Sequence, residues 1–159
     1  MTSTPTTPDG GRGDSRPYRV LVTGSRTWSD RDAVWAALDE LLAVRHQITV
    51  VHGACSRGAD AHAHDWVVRR RRDHQPVDEE AHPAQWRVTD PTTGTPRVDR
   101  GAGIARNARM VAAGAQLCLT FIDPCSVGSC DRREIHGSHG AVDCATRARD
   151  AGIPVQHRT

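Results

Sequence analysis

The stretch ITVVHGACSRGAD, residues 48–60, decides the reading of the chain. Its first half is a continuous β-branched apolar run, the pattern of a strand buried on both faces, and such strands belong to parallel sheets. Gly53 and Gly58 then mark a strand-to-helix turn where the backbone can reach left-handed angles and approach a neighbour closely. Ala59, Asp60 and Ala61 open a small-residue helix, whose first amides point back at the strand's carboxyl end and can hold an anion. Arg57 and Asp60 add a cation and a carboxylate at the same turn. A phosphate-bearing ligand here is the expectation that organises the rest.

Upstream, YRVLVT (residues 18–23) reads as a first strand, followed by the turn Gly24-Ser25-Arg26. Ser29 or Asp30 can cap a helix to about residue 44, with Val34, Leu38, Leu41 and Leu42 on one face. Downstream, the second helix runs through Trp66 and Val67 into four arginines, Arg69 to Arg72, a basic last turn that complements the helix dipole. PVDEEAH (76–82) alternates weakly and suits a sheet edge. Residues 84–99, with prolines, a glycine and threonines, read as a mobile loop. GAGIARNARMVAA (101–113) is a third helix, with Ile104, Ala108, Met110 and Val111 turned inward. A strand over 117–122, a polar loop to 136, a helix over 140–151 and a strand over 153–156 complete the order. The alternation predicts an α/β fold, a Rossmann-like three-layer sandwich with a mostly parallel sheet of about five strands. Residues 1–17 are too poor in apolar side chains to offset their ordering entropy and are expected to form a disordered tail, leaving 18–159 as one domain.

Composition excludes several classes. No apolar run approaches the ~20 residues of a membrane span, so no membrane partner is expected and a cytoplasmic location is the default. The formal charge is +2, and all 21 basic side chains are Arg. That balance is too small to argue for nucleic acid. Five cysteines, an odd number, do not suggest a disulfide framework, which leaves metal binding or burial. Self-association into a homo-oligomer stays open.

In open parallel sheets the ligand crevice lies beyond the carboxyl ends of the strands. Three glycine-bearing turns fall at that edge, at 24–26, 53–58 and 137–140. Ser25, Ser56 and Ser138 offer hydroxyls there, and Arg26 and Arg57 can pair with phosphate. Arg106 and Arg109, three apart, share a face of the third helix and could reach phosphate or ribose, with Asn107 turned elsewhere. Cys125, Cys130, His136 and His139 supply two thiols and two imidazoles within fifteen residues, enough for a structural zinc, with Cys144 a further candidate ligand. Cys55 and Cys118 read as buried filler. His62 and His64, two apart on a helix, face different ways and cannot chelate together. Trp28 and Trp86 lie near the same sheet edge, where either could stack on a base or cap the core.

The elements TGSR (23–26), HGxxxRGAD (52–60), GxxRNxRM (103–110) and the late glycine turn together resemble the SLOG superfamily, and within it the YspA/YpsA-related branch. The resemblance implies a nucleotide or nucleotide-derived ligand held by Gly24, Ser25, Arg26, Gly53, Ser56, Arg57, Gly58, Asp60, Arg106, Asn107, Arg109, Gly137, Ser138 and Gly140. The superfamily also includes the Lonely-guy phosphoribohydrolases, which cleave the N-glycosidic bond of nucleotide monophosphates, and DprA-like proteins that bind single-stranded DNA. The hydrolases carry a GGxGTxxE loop; aligned on Gly137 to Cys144, its catalytic Glu becomes Cys144. An oxocarbenium-like transition state calls for a carboxylate, which a thiol does not replace at neutral pH. Binding or sensing is therefore favoured over N-glycosidic hydrolysis, for which Asp60, Glu79 or Glu80 would have to stand in, and no catalytic residue is assigned.

Overall fold

The structure is a computed structural model that describes residues 16–159. The expected tail over 1–17 lies outside the described residues as far as residue 15. Five strands, β1 (Tyr18–Gly24), β2 (Ile48–His52), β3 (Val77–Ala81), β6 (Leu117–Phe121) and β7 (Val155–His157), form one sheet in the order β3-β2-β1-β6-β7, and every pairing is parallel. The order runs outward from β1 to β3 and restarts on the other side at β6. The β1/β6 boundary is thus the point where crossovers diverge and a crevice opens.

The pleat sorts the strand residues between two layers. Val20, Val22, Val50, Leu119 and Phe121 face α1 (Arg31–Arg45) and α2 (Ala59–Arg72), meeting Val34, Leu38, Ala63 and Trp66. Leu21, Val51 and Cys118 face α3 (Ala102–Ala113) and α4 (His139–Asp150), meeting Met110, Val111, Cys144 and Ala148. Trp66 is fully buried, and burying a side chain of its size contributes roughly 2–3 kcal/mol. Its indole Nε1 donates to Asp39 Oδ1 at 2.9 Å, and Arg70 forks onto the same carboxylate at 2.6–2.9 Å. Arg71 reaches Asp78 and Arg69 reaches Asp73. The arginine run therefore links α2 to α1 and β3 as well as meeting the helix dipole.

Asp30 caps α1, its Oδ1 accepting from Ala33 N at 2.9 Å, and β3 occupies the expected edge. Three expectations are corrected. Residues 84–99 contain an antiparallel hairpin of β4 (Arg87–Thr89) and β5 (Pro96–Val98). Its turn is closed by Asp90 Oδ1, which accepts from Thr92 N and Thr93 N, and by Gly94 at φ 69°. Ile104 is exposed, because the buried arc of α3 runs through Ala102, Arg106, Asn107, Met110 and Val111 and Ile104 falls just past its edge. The last helix and strand begin at His139 and Val155, one and two residues away from their sequence-based starts at 140 and 153. No helix among the described residues is long and apolar enough to cross a membrane.

Candidate functional site

Two glycines bring the first two turns together. Gly58 has φ 76°, and a Cβ there would run into the Ser25 carbonyl oxygen and the Arg26 backbone. The Ser25 carbonyl also accepts from Ala59 N at 3.4 Å, so the turn after β1 sits on the start of α2. Ser25 is buried, and its hydroxyl accepts from Asp123 N at 2.8 Å. That hydroxyl ties the first turn to the segment after β6, and its own proton reaches only the Asp123 carbonyl, at 3.5 Å. Thr27 adds a second tie, donating to Asp123 Oδ2 at 2.7 Å.

Gly53 serves the second turn by lacking a side chain, since a Cβ would overlap the Arg106 guanidinium. Arg106 is buried and donates through one terminal nitrogen to the Gly53 carbonyl. Its Nε donates to Asn107 Oδ1 at 3.0 Å, and Asn107 Nδ2 donates to Gly140 O and Asp143 Oδ2, each at 3.0 Å. A continuous hydrogen-bonded path thus crosses from the β2 turn through α3 to the start of α4. The pairing expected on α3 is reversed: Arg106 and Asn107 enter the site together, while Arg109 is exposed on the other side of the buried arc.

These elements enclose a hollow of about 540 Å³ at the β1/β6 edge. Gly24, Ser25, Arg26, Arg57, Asp60, Arg106, Asn107, Ser138 and Gly140 line it. Gly53 and Ser56 line an adjoining hollow of about 640 Å³, which shares Arg26, Cys55, Arg57, Trp86 and Arg106 with the first. Gly58 and Gly137 line neither; a Cβ at Gly137 would press on Ile122 and Val142. Gly103, the first residue of the GxxRNxRM element, also lines the first hollow, as do Thr27, Arg100, Ser126 and Val127, which carry no motif that would have singled them out. Cys55 is half-buried at the site, not core filler.

The charge at this crevice is one-sided. Among the described residues, Arg26, Arg57, Arg100 and Arg106 have no carboxylate within 4.0 Å, whereas Arg19, Arg70, Arg71, Arg147 and Arg158 do. Asp60, buried in the first turn of α2 and accepting from Cys55 N at 3.2 Å, is the one carboxylate of the lining. The helices α2, α3 and α4 start at the hollow, and none has a side-chain hydrogen bond at its N-cap. Ala59 N and Ala102 N donate to the Ser25 and Asp99 carbonyls, and the other first-turn amides are left for an anion. Trp86 lies against Gly103, its Cη2 3.1 Å from where a Cβ would stand, and the Arg26 guanidinium lies 5.3 Å from its ring centre. Trp28 packs edge-on to Phe121 at 5.6 Å and belongs to the core.

Cys144, at the position of the hydrolases' glutamate, is fully buried, and burial pushes its thiol up to about 11. It is neither carboxylate nor thiolate at neutral pH, and it stands apart from the other cysteines of the proposed metal set. Cys118 is core, its thiol pushed up to about 12 by burial. Glu79 binds His52 and His64, each at 2.7 Å, and Glu80 binds Arg19 and His82, each at 2.7 Å. Neither glutamate lines the first hollow. His62 Nε2 meets the Trp28 carbonyl, away from His64. The trio His52, His64 and Glu79 was not anticipated. Its signal is the strand period, which sets His52 and Glu79 on one sheet face beneath α2.

The family model described as YspA, cpYpsA-related SLOG family matches residues 18–88, from β1 into β4, and so takes in the first two glycine turns. The Gene 61 protein of Mycobacterium phage D29 is 39% identical over 138 residues, covering 86% of this chain and 93% of that protein. Among solved structures, a universal stress protein from Archaeoglobus fulgidus aligns at 17% identity over 90% of this chain and 95% of that one, with a TM-score of 0.45.

Proposed function

Because this chain belongs to the YspA, cpYpsA-related SLOG family, we propose that its crevice binds a nucleotide or nucleotide-derived ligand through its phosphate. The observation that carries the reading is the convergence of Arg26, Arg57, Arg100 and Arg106 on one hollow with no carboxylate partner. Guanidinium groups left unpaired around a cavity repel one another and await an anion, and each can fork onto phosphate oxygens. The uncapped starts of α2, α3 and α4 add oriented amides to the same field. A volume of about 540 Å³ falls within the range of small-molecule pockets, ~300–1,000 Å³. Trp86, partly exposed at the rim, offers a ring face on which a base can stack.

In this reading Arg57 and Arg26 meet the phosphate from the solvent side and Arg106 from beneath. Arg106 is held by the Gly53 carbonyl and Asn107, so its guanidinium is fixed before the ligand arrives. Titration calorimetry with adenosine 5′-monophosphate against adenosine tests the proposal. Binding that requires the phosphate, and that weakens at least ~10-fold in Arg57→Ala, is expected for a lost charge-assisted contact. Equal binding of the nucleoside, or no binding across a panel of purine and pyrimidine mono- and diphosphates, overturns it.

Asp60 keeps a hydrolytic reading alive as a defined outcome, being the carboxylate of the lining. Its Oδ2 is occupied by Cys55 N, which favours a role in shaping the turn. Release of free base from the same monophosphates, abolished by Asp60→Asn, would replace binding with hydrolysis.

A further inference from the structure

We propose that Cys125, Cys130, His136 and His139 form a closed tetrahedral Zn²⁺ site that fixes the β6–α4 segment as one wall of the crevice. The ligand atoms of these four side chains all lie within 4.8 Å of one another. Cys130 Sγ is 3.5 Å from both His136 Nε2 and His139 Nε2, and the two nitrogens are 2.9 Å apart. Zinc bonds of about 2.3 Å to sulfur and 2.0–2.1 Å to nitrogen, at tetrahedral angles, separate S from N by about 3.6 Å and N from N by about 3.3 Å. The two Cys130 sulfur–nitrogen edges already match, and the nitrogen pair needs to open by a few tenths of an ångström.

The hydrogen bond on the far side of His136 points the same way. Its Nδ1 lies 2.9 Å from the Glu134 carbonyl, which can only accept, so Nδ1 carries the proton and Nε2 presents its lone pair inward. Metal-bound histidines are oriented by this kind of outer partner.

Backbone pairing brings the four residues together without a hydrophobic core. Pro124 bridges Gly137, Cys125 N donates to His136 O at 2.7 Å, and Ser138 N donates to Asp123 O at 3.1 Å. A turn from Val127 O to Cys130 N brings the second thiol back, and His139 opens α4. The apolar side chains of this segment do not hold it: Val127 is 52% and Ile135 93% exposed. A segment with so little buried apolar surface lacks the usual source of order, and a metal cross-link supplies it. Two thiolates and two imidazoles are a donor set that suits Zn²⁺, and four protein ligands leave no open position, so the role is structural. Binding takes each cysteine as its thiolate and releases one proton per thiol to solvent. Because His139 also lines the first hollow, with Ser126 and Val127 on the same segment, loading shapes the crevice directly.

The test uses the full chain, purified under reducing conditions, stripped with a chelator and reloaded with Zn²⁺ or Co²⁺. Bound metal is read by elemental and native mass spectrometry, and the cobalt form by its visible spectrum. One zinc per chain, tetrahedral cobalt bands and a thiolate-to-cobalt charge-transfer band are expected. Cys130→Ser and His136→Ala should each weaken binding beyond the ~10–100-fold typical of losing an outer partner. His52→Gln should bind as the parent does. Circular dichroism identifies variants that keep the sheet, and only those are counted. A folded parent that takes up neither metal, or folded ligand variants that bind like the parent, overturns the site. Nucleotide affinity does not enter these readouts, so this result stands apart from the fate of the phosphate reading.

Discussion

Two histidine clusters lie at the carboxyl edge of the sheet, close enough in geometry that distance alone would treat them as equals. In the first, His52 Nδ1 accepts from Ala54 N at 3.1 Å, so its Nε2 holds the proton and donates to Glu79 at 2.7 Å. A metal on that Nε2 would force the proton onto Nδ1, against the Ala54 amide. Ala54 is held at φ 54°, a left-handed angle rare for a residue with a side chain, so this arrangement is built into the turn. In the second cluster the outer nitrogen of His136 meets a carbonyl, and the inner one is left to coordinate. The partner of the remote nitrogen separates an ion-pair network from the metal site we propose.

The largest effect that could break this contrast is on the segment between β6 and α4. Chelation should speed tryptic cleavage after the exposed Arg132 and Arg133 at least ~10-fold, as expected when a local cross-link is lost, and His52→Gln should leave the rate unchanged. Equal acceleration in both would erase the distinction. Next in size, His52→Ala strips Glu79, only 14% exposed, of its buried partner. Urea unfolding should show a loss of about 1–3 kcal/mol with metal content unchanged.

The acid limb of stability sharpens the comparison further. Burial pushes the Glu79 carboxyl up, but hydrogen bonds from His52 and His64 outweigh it and hold the group below its ordinary 4.5. A carboxylate depressed in the folded state stabilises fully above its unfolded pKa, and the contribution is lost as pH falls through the folded one. Glu79→Gln should therefore flatten the stability profile below about pH 4.5. The smallest effect belongs to Glu80 on the opposite face. There the Arg19 hydrogen bond, against some burial and with help from His82, holds the carboxyl at about 2. Its side chain is 35% exposed, so after solvent screening Glu80→Gln should cost about 1 kcal/mol at pH 7, vanishing by pH 2.

Long elements with one strong period were legible in the sequence. The apolar run of β2, the cap and face of α1, and the edge placement of β3 follow from patterns that packing reinforces. The β4–β5 hairpin was not, because three-residue strands are too short to alternate visibly and Pro96 reads as a breaker. On α3 a simple same-face rule favoured Arg109 over Asn107. It failed because this helix is covered on two sides, by the sheet and by α4, which widens its buried arc to admit Asn107 and still leaves Arg109 outside. The second task of Ser25 was invisible for a related reason: its oxygen accepts from the Asp123 amide, a partner 98 positions away. The four Cys/His residues were visible as residue types, but only the Pro124–Gly137 bridge explains how spacings foreign to zinc fingers converge.

Gly58 has a consequence for engineering. With its backbone at φ 76° pressed on the Ser25 carbonyl, the floor of the crevice is a single interlocked piece that accepts no side chain at its joint. The parts that can be changed without disturbing that joint lie around it: Trp86 at the foot of the hairpin, Arg100, and the segment bearing Ser126 and Val127. A designer seeking a new ligand would graft the rim and keep residues 24–26 and 53–60 as the chassis.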